Sequence, residues 1–199
     1  MSTTLFLVRH GETVWHAENR YAGTSDVALT GRGREQARRL GSWAAGERLD
    51  AVWSSPLARA RATAAPAAAA LDVPVTVDAD LAEVGFGVAE GRTLAELPRD
   101  EAAAFRADPV AGAFPGAEDP RKAAGRGAAA LHRIAARHPD GRVLVVAHNT
   151  LLRLVLCELL GVPLERYRRL FPRLENTART QLQIDGRDTA LIMLNAPLP

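Results

Sequence analysis

Leu5-Phe6-Leu7-Val8-Arg9-His10-Gly11-Glu12-Thr13 opens with four large apolar residues and ends in charge. An unbroken apolar run of that length reads as a strand buried on both faces, as in the middle of a parallel sheet. Arg9 and His10 follow where the carboxyl end of the strand meets solvent, the edge at which open α/β sheets place their ligands. Gly11 then lets the backbone turn sharply or approach a ligand closely. Taken alone, Arg-His-Gly is no more than the polar end of a strand.

A second copy of the arrangement changes that reading. Val143-Leu144-Val145-Val146-Ala147-His148-Asn149-Thr150 is another apolar run ending in histidine. Between the two lies Ala51-Val52-Trp53-Ser54-Ser55-Pro56-Leu57-Ala58-Arg59, whose exit carries an arginine. If the three strands lie side by side, two histidines and two arginines meet at one sheet edge. Guanidinium forks match phosphate oxygens, and imidazole serves as nucleophile or proton carrier.

Four blocks in order resemble the histidine phosphatase superfamily, also called phosphoglycerate mutase-like. They are Arg9-His10-Gly11-Glu12-Thr13, Asp26-x-x-Leu29-Thr30-x-x-Gly33-x-x-Gln36-Ala37, Ser54-Ser55-Pro56-Leu57-x-Arg59-Ala60 and Ala147-His148. The resemblance implies a three-layer α/β/α sandwich, one domain over residues 1–199 with a mostly parallel central sheet. Residues 93–120, broken by Pro98, Pro109, Pro115 and Pro120, resemble the family's variable cap over the site.

The resemblance also implies roles. His10 is the nucleophile, and Arg9 and Arg59 hold the phosphoryl oxygens. His148, protonated beside a bound phosphate, is a further positive donor. Leu81-x-Glu83-x-x-Phe86-Gly87-x-x-Glu90-Gly91 resembles the loop bearing the general acid, which makes Glu83 the proton source for the leaving oxygen. Glu12 reads as a loop-fixing acceptor and Glu90 as structural. Glu118 resembles a loop glutamate of many members, with a solvated cap residue as the equal alternative. Asn19 and Arg20 are polar loop residues within reach of the site.

Three positions depart from the pattern. His16 stands where asparagine commonly lies beside the phosphate, and the expectation is a phosphate-side ligand that donates from both ring nitrogens if it is protonated in the complex, with loop packing as the alternative. Asn149 replaces a usual glycine and is expected to cap the next helix, aiming its positive end at the phosphate. Ala89 replaces a tryptophan, which is expected to loosen the pocket wall.

Composition bounds the rest. The 199 residues, 47% hydrophobic and 24% charged, suit a soluble globular chain with a sizeable core. The pI near 9.2 accompanies a formal charge of only +2 with scattered basic residues, so no nucleic-acid partner is expected. No apolar run reaches membrane-spanning length and no signal segment is visible, so a cytoplasmic protein with no membrane partner is the default. A lone Cys157 excludes an internal disulfide, and no ligand spacing suggests a metal or cofactor. The function expected is hydrolysis of a small phosphorylated metabolite. The alternatives are mutase-type transfer, usually in longer chains, and a non-catalytic phospho-ligand module. Substrate identity and oligomeric state are not legible.

Helices are expected at Gly31–Ala45, 57–71, 121–137 and 151–160. Pro66 should kink or divide the second, and Gly125 and Gly127 should weaken the third. Short strands are expected at 51–53 and 75–77, with a closing hairpin at 180–184 and 190–194.

Overall fold

The computed structural model describes residues 2–199. Its centre is a six-stranded sheet built from β1 (Ser2–Arg9), β2 (Ala51–Ser54), β3 (Val75–Val77), β4 (Arg142–Ala147), β5 (Arg179–Asp185) and β6 (Asp188–Ala196). The strand order is β3-β2-β4-β1-β5-β6. The first four are parallel to one another, and β5 and β6 add an antiparallel hairpin beside β1. This is the mostly parallel sheet expected.

Alternation along the strands fills both faces. Leu5 and Leu7 of β1 join Val143, Val145 and Ala147 of β4 in one core, and Phe6 and Val8 join Leu144 and Val146 in the other. The helices α1 (Gly31–Ala45) and α2 (Ala58–Leu71) cover the second core. The first core lies under α4 (Pro120–Arg137) and α5 (Asn149–Leu159), reached after the shorter α3 (Arg99–Ala107). A short α6 (Tyr167–Leu170) follows. The result is a three-layer sandwich in which β1 and β4 are covered on both faces, which explains their unbroken apolar runs.

Pro66 does not divide α2, which runs unbroken from Ala58 to Leu71. The missing N–H frees only the carbonyl of Ala62, an exposed residue whose oxygen can be hydrated. Pro66 instead packs against Gly41 of α1, where an added Cβ would lie 2.9 Å from it.

The two glycines of α4 have different causes. A Cβ at Gly127 would stand 2.5 Å from Val155 and 3.0 Å from Leu151 on α5, whereas one at Gly125 would meet nothing. Gly127→Ala is therefore expected to destabilise by about 1–3 kcal/mol through overpacking. Gly125→Ala is expected to stabilise by roughly 0.5–1 kcal/mol through helix propensity. Urea unfolding of the two variants checks the opposite signs.

Candidate active site

The register of the sheet assembles the site. Arg9 of β1 pairs with Ala147 of β4, so His10 and His148, each one residue further, emerge side by side. Their ring centroids are 5.1 Å apart. Ser55 follows β2 on the other flank of β4, and its Oγ lies 2.7 Å from His148 Nε2.

The loop carrying His10 is pinned from every side. His10 N–H donates to Ala147 O, Gly11 N–H to Thr63 Oγ1 on α2, and Asn176 Nδ2 to His10 O at 2.7 Å. Glu12 N–H donates to Gln36 Oε1, and Thr30 N–H donates to Glu12 O. The Thr30 hydroxyl donates to Glu12 Oε1 while capping α1 by accepting from Gly33 N–H. Gly33 lies so close to the loop that a Cβ there would fall 2.1 Å from Glu12 O. The block Thr30, Gly33, Gln36 is thus the clamp for the loop, and Glu12 is its acceptor.

His10 Nδ1 lies 2.7 Å from the carbonyl of Gly11, which only accepts, so Nδ1 carries the proton and Nε2 keeps its lone pair. Burial, Arg9 and Arg59 hold the His10 pKa well below its ordinary value, leaving a neutral ring. His148 is fully buried and likewise held low, first by burial and then by His10 and the two arginines. Its Nδ1 has no hydrogen-bond partner, and neither does the Nε of Arg9 or of Arg59, although all three atoms are buried. Buried polar groups without partners are uncommon in folded proteins.

The arginines are not equivalent. Arg9 donates to Leu174 O, and its burial lowers its pKa to about 10. Arg59 is 1% exposed, not a surface helix residue. Its Nη atoms donate to the carbonyls of Ala22, Gly23 and Ser25, and its side chain lies outside the cavity wall. Glu90 binds the same loop through Gly23 N–H, Thr24 N–H and the Ser25 hydroxyl, and also accepts from Phe86 N–H. That is a structural role.

His16 lines the cavity and lies against Arg9 in the free site. Its Nε2 lies 2.6 Å from Arg9 Nη2, a group that only donates, so the ring accepts there. Burial, then Arg9, pushes its pKa down to about 4. In the free site His16 is therefore a neutral acceptor that holds Arg9, not a charged donor. This has a consequence for stability. The unfolded chain binds a proton on His16 near pH 6.5 and the folded chain only near 4, so between those values the unfolded state holds more protons. Stability is expected to be full above pH 6.5 and to fall towards pH 4. Urea midpoints at pH 7 and pH 5 should show the loss, and His16→Asn should lose less.

Asn149 does not cap α5. The extended residue at the cap position is His148, and Asn149 is the first residue of the helix, with a buried Oδ1 that lacks a partner. Glu83 sits at this helix start instead, 5% exposed. Its Oε1 accepts from Val84 and Leu151 N–H, and its Oε2 from Thr150 N–H alone. An anionic side chain there complements the exposed N–H groups of the first turn. Arg126 holds the loop before Glu83 by donating to Asp80 O and Ala82 O, and is itself paired with both oxygens of Glu118. Ala89 is fully packed and lines nothing.

Part of this cluster borders a cavity of about 430 Å³, whereas His148, like Arg59, is buried behind its wall. Arg9, His10, His16, Glu83 and Asn149 line it, and Asn19 and Arg20 reach it as well. Sequence reading missed Arg153, Tyr167, Arg168 and Asn176, which come from α5, α6 and the loop before β5. The one available signal was Arg153, a charge inside the apolar run of α5. Among the described residues no helix is long and apolar enough to cross a membrane.

The chain resembles known proteins over nearly its full length. It is 30% identical over 194 residues to phosphoserine phosphatase 1 of Hydrogenobacter thermophilus, covering 96% of this chain and 91% of the relative. It is 35% identical over 182 residues to a probable phosphoglycerate mutase of Salmonella choleraesuis, covering 89% and 83%. A mycobacterial glucosyl-3-phosphoglycerate phosphatase, solved with VO3, superposes with a TM-score of 0.88 at 27% identity, covering 98% of this chain and 99% of that one. The profile of the histidine phosphatase superfamily (branch 1) matches residues 5–197, and the chain belongs to that family.

Proposed function

We propose that the protein is a phosphoric monoester hydrolase that acts on small phosphomonoesters through a phosphohistidine on His10. The family and its phosphatase relatives carry the reaction class. The observation that supports the residue roles is a neutral His10 beside Arg9 and 5.1 Å from His148, with Arg9 Nε and His148 Nδ1 both buried and unpartnered. A phosphoryl group brings the acceptor oxygens that these two atoms lack.

In the first step His10 Nε2 attacks phosphorus and the ester P–O bond breaks. Arg9 stabilises the charge on the phosphoryl oxygens, and Arg59 adds its field from behind the 22–25 loop. His16 keeps Arg9 in place. With Ser55 donating to Nε2, His148 turns an Nδ1–H towards the anion, and the bound dianion favours full protonation of its ring. The phosphate monoanion of the substrate passes its proton to Glu83 Oε2, the less occupied oxygen, and Glu83 delivers that proton to the leaving alkoxide. In the second step the same carboxylate takes a proton from water, which attacks the phosphohistidine and releases inorganic phosphate. His10 then returns to its neutral form.

The test is a screen of phosphorylated metabolites for phosphate release with and without excess chelator. Turnover is expected to survive exhaustive chelation, because every step is assigned to side chains. Restoration of a lost activity by one divalent ion would overturn that assignment. A mutase reading has the 35%-identical relative in its favour. It requires 2-phosphoglycerate rather than free phosphate to accumulate from 3-phosphoglycerate and a bisphosphoglycerate primer.

A further inference from the structure

Arg126 of α4 and Glu118 lie outside the wall of the 430 Å³ cavity. Every N–H of Arg126 is nonetheless committed to the loop that carries Glu83 or to Glu118. Its Nη1 donates to Asp80 O at 2.7 Å and to Ala82 O at 2.8 Å, and its Nη2 donates to Glu83 O at 3.3 Å. Nε and the remaining N–H of Nη2 take the two oxygens of Glu118, at 2.7 and 2.8 Å. A guanidinium has five N–H groups in a fixed fork, and these bonds use them all. No donor is left for a ligand, so the group is a tether.

A second set of bonds reaches the same loop from residues 115–118. Glu118 N–H donates to Gly85 O, Val88 N–H donates to Pro115 O, and Phe86 pairs with Ala117 in an isolated antiparallel bridge. At Gly87, with φ +55°, a Cβ would lie 2.2 Å from Pro115 O, so the two segments meet at a distance only glycine allows. The Glu83 carboxylate itself is held from another direction, by Thr150 and Leu151 N–H at the start of α5. The start of α5 thus fixes the tip of this side chain, and its backbone root rests on Arg126. Proton delivery needs Oε2 within hydrogen-bond reach of the leaving oxygen. A misplacement of about 1 Å from a distant change can cost roughly 10²-fold.

We infer that Arg126, locked in place by Glu118, is a positioning residue for the general acid and ties the 115–118 segment to proton delivery by Glu83. This rests on the phosphatase reading with Glu83 as the acid. The test is single-turnover phosphorylation by Arg126→Met from ethyl phosphate and from p-nitrophenyl phosphate. The ethyl ester is expected to lose about 10- to 100-fold. The p-nitrophenyl ester should lose about 3-fold or less, because its leaving group needs almost no proton. On a Glu83→Gln background, Arg126→Met should add no more than about 3-fold to the loss for ethyl phosphate, since both changes act through one group.

Glu118→Gln breaks the bidentate pair and should show the same selectivity at about 3- to 10-fold, which serves if Arg126→Met does not fold. A residue that only holds the fold together would slow both esters alike and would add in full to Glu83→Gln. Either result overturns the inference. Hydrogen exchange needs no turnover, and the amides of residues 80–88 should exchange about 10-fold faster or more in folded Arg126→Met. Unchanged exchange overturns the tether by itself. Wild-type protein that releases phosphate from neither ester, with faster exchange in the variant, removes the phosphatase and the acid role while the tether stands.

Discussion

His10→Ala is expected to lose turnover by about 10⁴-fold or more while still binding phosphate or vanadate. Removal of a nucleophile from a preorganised site leaves only the contribution of the surrounding charges. Here those charges are held independently of the ring, since Arg9 is fixed by Leu174 O and His16, and Arg59 by three loop carbonyls. Wild-type enzyme quenched during turnover without acid should carry a phosphoryl group that is stable in base and lost in acid, as phosphoramidates are. A variant that turned over near the wild-type rate would move the covalent step away from His10.

The second large effect concerns Glu83→Gln. An alkoxide leaving group needs a proton as the P–O bond breaks, whereas p-nitrophenolate needs almost none. Loss of a general acid therefore slows phosphorylation from alkyl esters by about 10²- to 10⁴-fold, with a far smaller loss for p-nitrophenyl phosphate. Single-turnover measurement of the first step separates this from the hydrolytic step. Because Glu83 also accepts N–H groups of Thr150 and Leu151 at the start of α5, an equal loss for both esters would mean that the residue positions the helix rather than donating the proton.

The elements that place His10 were legible because their signals are local and strong. The boundaries of α1 and β3 are as expected, since Thr30 caps α1 through its side chain and residues 75–77 are a short β-branched run bounded by proline and polar residues. Pro66 leaves α2 undivided because it frees a single carbonyl, that of Ala62, on an exposed residue. Asn149 misled because capping statistics favour the asparagine side chain, while the extended backbone of His148 moved the helix start one residue earlier. His16 was placed at the site, but the sequence carries no sign that Arg9 would take its Nε2. Arg168 and Asn176 were invisible because they belong to no motif, reaching the cavity from segments that tertiary packing alone brings there.

The pairing of β1 with β5 has a consequence for how the protein is made. Ser2 faces Asp185 and Val8 faces Arg179, so one edge of the nucleophile-bearing strand waits for residues made roughly 170 to 180 positions later. Until then a growing chain presents an apolar strand with a free ladder edge, the kind of surface that recruits other chains. The same late segment supplies Asn176 to the carbonyl of His10 and Thr177 N–H to that of Arg9. A chain that stops before residue 176 lacks both contacts and the partner of β1, and is expected to aggregate rather than to persist as a weakened protein.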